Sequence, residues 1–166
     1  MKIGVIGNGF VGGAVINGFS TQFNVLYYDV DSKKSKNSLE EVVTQSEVIF
    51  LCVPTPQKAG GEVELMFINN VFDKIIKTYK EAQHGDYDSK IFVIKSTVPP
   101  GTCDELAKRS GLNVLSNPEF LTERFANEEF MRPRLVLIGA SEEKYALKLK
   151  SAYEAIYSPL EQAEVG

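Results

Sequence analysis

Apolar positions along this chain follow two rhythms. Short unbroken runs at Lys2–Ile6, Asn24–Asp29, Glu47–Val53, Lys90–Lys95, Asn113–Leu115 and Leu135–Gly139 predict six β-strands. Between them the spacing becomes helical, most clearly in FINNVFDKIIKTYKEAQ. There Phe67, Val71, Ile75 and Tyr79, with Ile68, Phe72 and Ile76 beside them, form one stripe. Strands apolar on both faces and alternating with helices predict an α/β domain, a doubly wound parallel sheet of about six strands with helices on both sides. Right-handed crossovers then favour the strand order 3-2-1-4-5-6, with the ligand crevice at the carboxyl ends. A last helix over Glu142–Ile156 closes the pattern, so the compact fold is expected to end near residue 157, with a polar tail over 158–166. The segments Gln57–Glu64 and Gln83–Lys90 read as the loosest loops.

The first strand runs into GNGFVGG, which places Gly7, Gly9 and Gly12 as G-x-G-x-x-G between a strand and a helix. Gly7 permits the tight turn, Gly9 lets a pyrophosphate approach the backbone, and Gly12 lets the helix pack closely on the strand. The N–H groups of this turn and of the helix start make Gly7, Asn8, Gly9, Phe10, Val11 and Gly12 the candidate cofactor cradle. The second strand ends in Asp29, 22 positions after Gly7, where an acid accepts hydrogen bonds from ribose hydroxyls and repels a 2′-phosphate. That combination specifies a Rossmann-type fold and favours NAD over NADP. Asp31 fills the same role if the strand runs longer, and Lys33, Lys34 and Lys36 are either a solvated loop or cations for a 2′-phosphate.

Composition narrows the partners. The 166 residues suit one domain, and 18 basic against 22 acidic side chains, net −4 with the cations scattered, argue against nucleic acid or an anionic membrane. No signal-peptide pattern opens the chain and no long apolar segment spans a membrane. Cys52 and Cys103 have no metal-ligand spacing and fit a reduced, cytoplasmic setting, each reading as a small apolar filler. His84, the one histidine, stands before Gly85 near a helix end.

Three more strand ends carry unusual loops: LCVPTP (Leu51–Pro56), IKSTVPPGT (Ile94–Thr102) and SNPEFLTERFA (Ser116–Ala126). Pro54 and Pro56 hold Thr55 extended, and Ser96 and Thr97 precede a Pro-Pro-Gly turn that fixes their direction. With GNGFVG, these loops resemble in order and spacing the N-terminal domain of the UDP-glucose/GDP-mannose dehydrogenase family. That family oxidises a sugar-nucleotide alcohol to a uronate in two NAD-dependent steps, through a cysteine thiohemiacetal and thioester. The resemblance implies NAD contacts from Val53, Pro54, Thr55, Ser96 and Thr97, with Thr97 also positioning substrate or an attacking water. It further implies that Glu119 assists thioester hydrolysis and that Phe120, Leu121, Thr122 and Glu123 line the sugar-nucleotide site.

The residues alone allow a plainer account of that last loop. Asn117 suits an N-cap, Pro118 the first helical position, and Glu119 the first turn, where it complements the helix dipole. Glu123, four residues later, would share that helical face, so two carboxylates could converge on one ligand for acid–base work. The chain also departs from the resemblance. The usual EFLREG stands here as EFLTER, with Thr122 and Arg124 at the arginine and glycine positions, and the usual P-D-R as Pro133-Arg134-Leu135. The family's linking helix, its second domain and its nucleophilic cysteine have no counterpart in these residues. Two functions are therefore expected in competition. One is the NAD-binding half of such a dehydrogenase, active only when the missing cysteine-bearing half is supplied by another chain or was removed from this one; the other is a non-catalytic NAD-binding or interaction module.

Overall fold

A computed structural model describes residues 1–81 and 89–164, with side chains described as far as residue 158. His84 and most of the loop around it lie outside the described residues. The strands are β1 (Lys2–Ile6), β2 (Asn24–Tyr28), β3 (Val48–Leu51), β4 (Ile91–Ile94) and β5 (Val114–Ser116). The helices are α1 (Phe10–Phe19), α2 (Leu39–Gln45), α3 (Met66–Glu81), α4 (Thr102–Ser110), α5 (Ala126–Met131) and α6 (Glu143–Glu164), with 3-10 turns at Ser32–Lys34 and Glu123–Phe125.

All strand pairs are parallel, in the order β2-β1-β3-β4-β5. The expected order 3-2-1-4-5-6 is therefore corrected. Between Asp29 and Leu39 the chain reads DVDSKKSKNS, which has no apolar run able to extend the sheet beyond β2. Instead Lys36 N and Asn37 N both donate to Tyr27 O, at 3.2 and 3.0 Å, and Asn37 Oδ1 accepts from Tyr27 N at 3.3 Å. These bonds cover part of the open edge of β2. A capping box at Ser38, whose Oγ accepts from Glu41 N while Glu41 Oε2 accepts from Ser38 N, then starts α2, and the chain crosses to the far side of β1.

The predicted sixth strand, Leu135–Gly139, makes a single antiparallel bridge between Gly139 and Ser116. The carbonyl of Leu137 is taken by Asn117 Nδ2 at 2.6 Å, which diverts the segment from further pairing with β5. At the other end, α6 continues to Glu164, where the sequence pattern placed its end at Ile156. The loop after β3 is tighter than expected, closing through a Gln57–Val63 bridge with Gly61 at φ 89°.

Side-chain alternation divides the core between the two faces of the sheet. Ile3, Val5, Val48, Phe50, Ile91, Val93 and Leu115 pack with α1, α5 and α6. Ile6, Ile49, Leu51, Phe92, Ile94 and Val114 pack with α2, α3 and α4. Both faces are covered, as strands with no polar face require. In α3 the buried residues are Ile68, Phe72, Ile75 and Tyr79, while Phe67 is exposed, so the stripe is centred one position later than its sequence spacing suggested. Gly18 of α1 lies where an added Cβ would come within 2.3 Å of the Phe130 ring, and this close approach joins α1 to α5.

Candidate functional site

The sheet brings the four motif loops to one rim through a series of backbone bonds just beyond the strands. Gly7 N donates to Tyr28 O, Cys52 N to Ile6 O, Lys95 N to Leu51 O and Asn117 N to Ile94 O, at 2.8 to 2.9 Å. Each strand exit is thereby hung on its neighbour. With this strand order, the reversal of direction falls between β1 and β3, the position at which open α/β sheets take their ligands, and it is flanked by the glycine turn and the Cys52–Thr55 exit.

The three glycines behave as their spacing predicts. Gly7 has φ 95°, and a Cβ there would lie 2.5 Å from Cys52 O. A Cβ on Gly12 would lie 1.8 Å from Gly7 O, so the first turn of α1 seats directly on the loop. Around Gly9 there is open space, with nothing within 4 Å of a built Cβ, which leaves the α1 N-terminus approachable by a ligand. These residues fit a dinucleotide, with room at the position where the diphosphate must approach.

Asp29 is fixed against the same turn. Its Oδ2 accepts from Asn8 N at 2.7 Å and its Oδ1 from Asp31 N at 2.8 Å, while Asn8 Nδ2 donates to Lys34 O at 2.8 Å. Each carboxylate oxygen keeps a lone pair for a ribose hydroxyl. Asp31 is committed elsewhere, capping the 3-10 turn through Lys33 N at 3.0 Å. Lys33, Lys34 and Lys36 are exposed.

Val53 is buried, Pro54 exposed and Thr55 partly buried. Ser96 Oγ donates to Val53 O at 2.6 Å and draws the β3 and β4 exits together, while Thr97 is exposed beside it. Phe10 is 45 % exposed at the start of α1, and Val11 is partly buried.

The loop after β5 differs from its expected form. No helix begins at Asn117; residues 117–122 are irregular, and the 3-10 turn starts at Glu123. Asn117 is fully buried and acts as a clamp rather than a cap. Its Oδ1 accepts from Tyr153 OH at 2.6 Å and from Lys95 Nζ at 3.3 Å. Its Nδ2 holds Leu137 O. Without a helix through both, Glu119 and Glu123 share no face. Glu119 lines a cavity of 520 Å³ with Phe120 and Leu121, and Glu123 lines another of 280 Å³ with Gly9, Phe10 and Arg124. Glu119 Oε2 accepts from Leu121 N at 2.6 Å, and Glu129 accepts from both Thr122 N and Thr122 Oγ1, so two carboxylates hold the loop in shape.

Sequence reasoning missed Lys95, Asn117 and Tyr153 as a group. The signal for Lys95 was present: it continues the alternation of Ile91 and Val93 toward the α1 side, where a charge is buried. Burial lowers its ammonium below the usual lysine range, with the Cys52 and Glu119 charges opposing that shift. Burial pushes the Cys52 thiol up to about 12 and also raises Cys103. Neither cysteine is an activated thiolate.

Comparison with known proteins settles the lineage. The sequence profile of the UDP-glucose/GDP-mannose dehydrogenase family, NAD binding domain, matches residues 34–161. The chain belongs to this family. Among relatives, the UDP-glucose 6-dehydrogenase of Rickettsia typhi is 32 % identical over 96 % of this chain and 43 % of its own length. The UDP-glucose 6-dehydrogenase YwqF of Bacillus subtilis is 32 % identical over 78 % of this chain and 30 % of its own. A solved UDP-glucose dehydrogenase of Pyrobaculum islandicum superposes with a TM-score of 0.80 at 27 % identity, covering 93 % of this chain and 44 % of that one. The chain thus spans less than half the length of these family members. The family domain is a Rossmann-like parallel sheet and its cofactor is NAD. No helix among the described residues is long and apolar enough to cross a membrane.

Proposed function

We propose that this chain is the NAD-binding part of a nucleotide-sugar 6-dehydrogenase that oxidises the primary alcohol of a UDP-sugar or related sugar nucleotide to a uronate. The observation that carries the reading is the fixed pair of Asp29 and Asn8, which sets a ribose-binding carboxylate against an open Gly9 turn. When bound, NAD supplies the hydride acceptor. The chain's own residues hold and orient it: the 7–12 turn and α1 N-terminus receive its diphosphate, Asp29 its adenine ribose, and the Val53–Thr55 and Ser96–Thr97 exits the opposite half. Thr97 and Glu119 stand at the substrate side, with Phe120 to Glu123 along the sugar nucleotide.

Turnover in this reading needs a reactive cysteine from a further domain or second chain, because burial keeps both thiols here protonated at neutral pH. Alone, the 166 residues bind NAD without oxidising sugar nucleotide. A reducing cytoplasmic setting suits the two free thiols. Calorimetric titration with NAD, followed by assay for NADH in the presence of UDP-glucose, tests both halves: saturable NAD binding without turnover is expected, and absence of NAD binding overturns the reading.

One observation favours a second reading, a non-catalytic NAD-binding or interaction module. Glu119 and Glu123 line different cavities, and Glu119 is engaged by its own loop, an arrangement unsuited to paired acid–base work. Sugar-nucleotide turnover in the presence of a cysteine-bearing partner domain would exclude it.

A further inference from the structure

The chain departs from its family's pattern in the run EFLTER, where Arg124 stands at the usual glycine position and Thr122 at the usual arginine. Glu129 accepts from both Thr122 N and Thr122 Oγ1, at 2.6 to 3.1 Å, so the side chain at the arginine position is tied down within its own segment. Phe125 N then donates to Thr122 O at 3.0 Å and closes the 3-10 turn Glu123–Phe125. Beyond it, α5 is fastened to α1. Asn17 Nδ2 donates to Asn127 Oδ1 at 3.0 Å, and the Phe130 ring fills the space beside Gly18. Arg124 is thereby held beside the first turns of α1, lining the 280 Å³ cavity with Gly9, Phe10 and Phe125. Its guanidinium stands 5.3 Å from the Phe125 ring centroid and, among the described residues, makes no ion pair.

We infer that Arg124 binds the diphosphate of the cofactor, a cation that this chain supplies beside the N–H groups of the glycine turn. Gly9 makes no side-chain cap for α1, which leaves the first N–H groups of the helix to a ligand. Those donors carry only partial charge, whereas a diphosphate carries full charges, and a guanidinium matches phosphate oxygens two at a time. Glu123 and Glu128 line the same cavity and oppose an anion there. An arginine engaged by neither acid offsets that repulsion. A glycine at this position supplies none of this. The role rests on the NAD reading and deepens it, adding to the backbone cradle a side chain whose charge makes cofactor binding salt-sensitive.

The test is calorimetric titration of the full 166-residue chain with NAD at about 50 and about 300 mM sodium chloride, comparing wild type, Arg124→Ala and Arg124→Lys, with a thermal melt of each. At low salt, Arg124→Ala is expected to weaken NAD binding about fivefold to tenfold, and Arg124→Lys to recover part of that loss. The gap between wild type and Arg124→Ala is expected to shrink at high salt, where screening weakens a contact between charges. Arg124 is exposed, so the melting temperatures are expected to stay alike. Should Arg124→Ala melt earlier, Arg124→Gln, which keeps most of the stem, takes its place. NAD bound equally by wild type and Arg124→Ala overturns this role and leaves the NAD reading standing. A loss that lysine does not recover and salt does not reduce is a packing effect and also overturns it. Absence of NAD binding by wild type overturns both.

Discussion

Tyr153 OH donates a 2.6 Å hydrogen bond to Asn117 Oδ1, tying the middle of α6 to the first residue of the irregular 117–122 loop. Both residues are buried, and Asn117 also receives Lys95 and holds Leu137 O, so one side chain connects the β4 exit, the β5 exit, the 135–139 segment and α6. Tyr153 in turn packs on Phe19 and Phe50 beneath the glycine helix. The loop that carries Glu119 is therefore held by the hydrophobic core and not by a helix of its own.

Removing one partner of a buried bond leaves the other unsatisfied, at about 1–3 kcal/mol. Tyr153→Phe keeps the ring packing, so its effect is expected at the low end of that range. Asn117→Ala orphans Tyr153 OH, Lys95 Nζ and Leu137 O together and is expected to cost more than Tyr153→Phe. Urea denaturation of the two variants checks the ranking; equal stabilities would contradict the clamp.

The glycines give a second, sharper contrast. Gly9→Ala places a methyl in open space and is expected to leave the melting temperature nearly unchanged while weakening NAD binding. Gly12→Ala drives a methyl into the carbonyl of Gly7 and is expected to destabilise the fold by about 1–3 kcal/mol or more, as overpacking does. Paired thermal melts and NAD titrations separate the two roles. A large loss of stability in Gly9→Ala would refute the open approach.

How much of this was legible in the sequence follows from what each residue's neighbours are. The glycine turn, Asp29 and the alternating core depend on local spacing, and their expected places match the structure. The sheet order needed knowledge of an absence: between Asp29 and Leu39 there is no apolar run, Val30 standing alone and 79 % exposed, so no strand forms outside β2. The PEFL loop misled because Asn117, Pro118 and Glu119 satisfy every local rule for a helix start, while partners 20 and 36 residues away in sequence claim the Asn117 side chain instead. Tertiary hydrogen bonds of that range leave no periodic trace.

Alkaline pH should destabilise the fold through Cys52. Burial raises its folded pKa from 9.0 to about 12, so the thiol's contribution is fully present below pH 9 and is lost as pH rises toward 12. Lys95 acts in the opposite sense: its folded pKa is lowered, so stability rises as pH climbs through that value toward 10.5. Cys52→Ala removes the first effect and is expected to flatten the fall in stability above pH 9, measured by urea denaturation at pH 8, 9 and 10. An unchanged slope would place the Cys52 thiol in water.

Ser46 offers a stabilising change. Its hydroxyl is buried without a hydrogen-bond partner among the described residues, and it fills the space that a Cβ on Gly4 would need. Ser46→Ala removes that unsatisfied group and is expected to raise stability by roughly 1 kcal/mol. A loss of stability in urea titration would show that the hydroxyl has an unseen acceptor.

The central claim is that Asp29, held by Asn8 N, reads the ribose of NAD. Calorimetric titration of the chain with NAD and NADP, using Asp29→Ala as control, tests it most directly. The account predicts saturable NAD binding, weaker binding of NADP, and about a tenfold or greater loss of NAD affinity in Asp29→Ala, with the discrimination against NADP diminished. Equal affinity for both nucleotides in the wild-type chain, or NAD binding unchanged by the substitution, would contradict it.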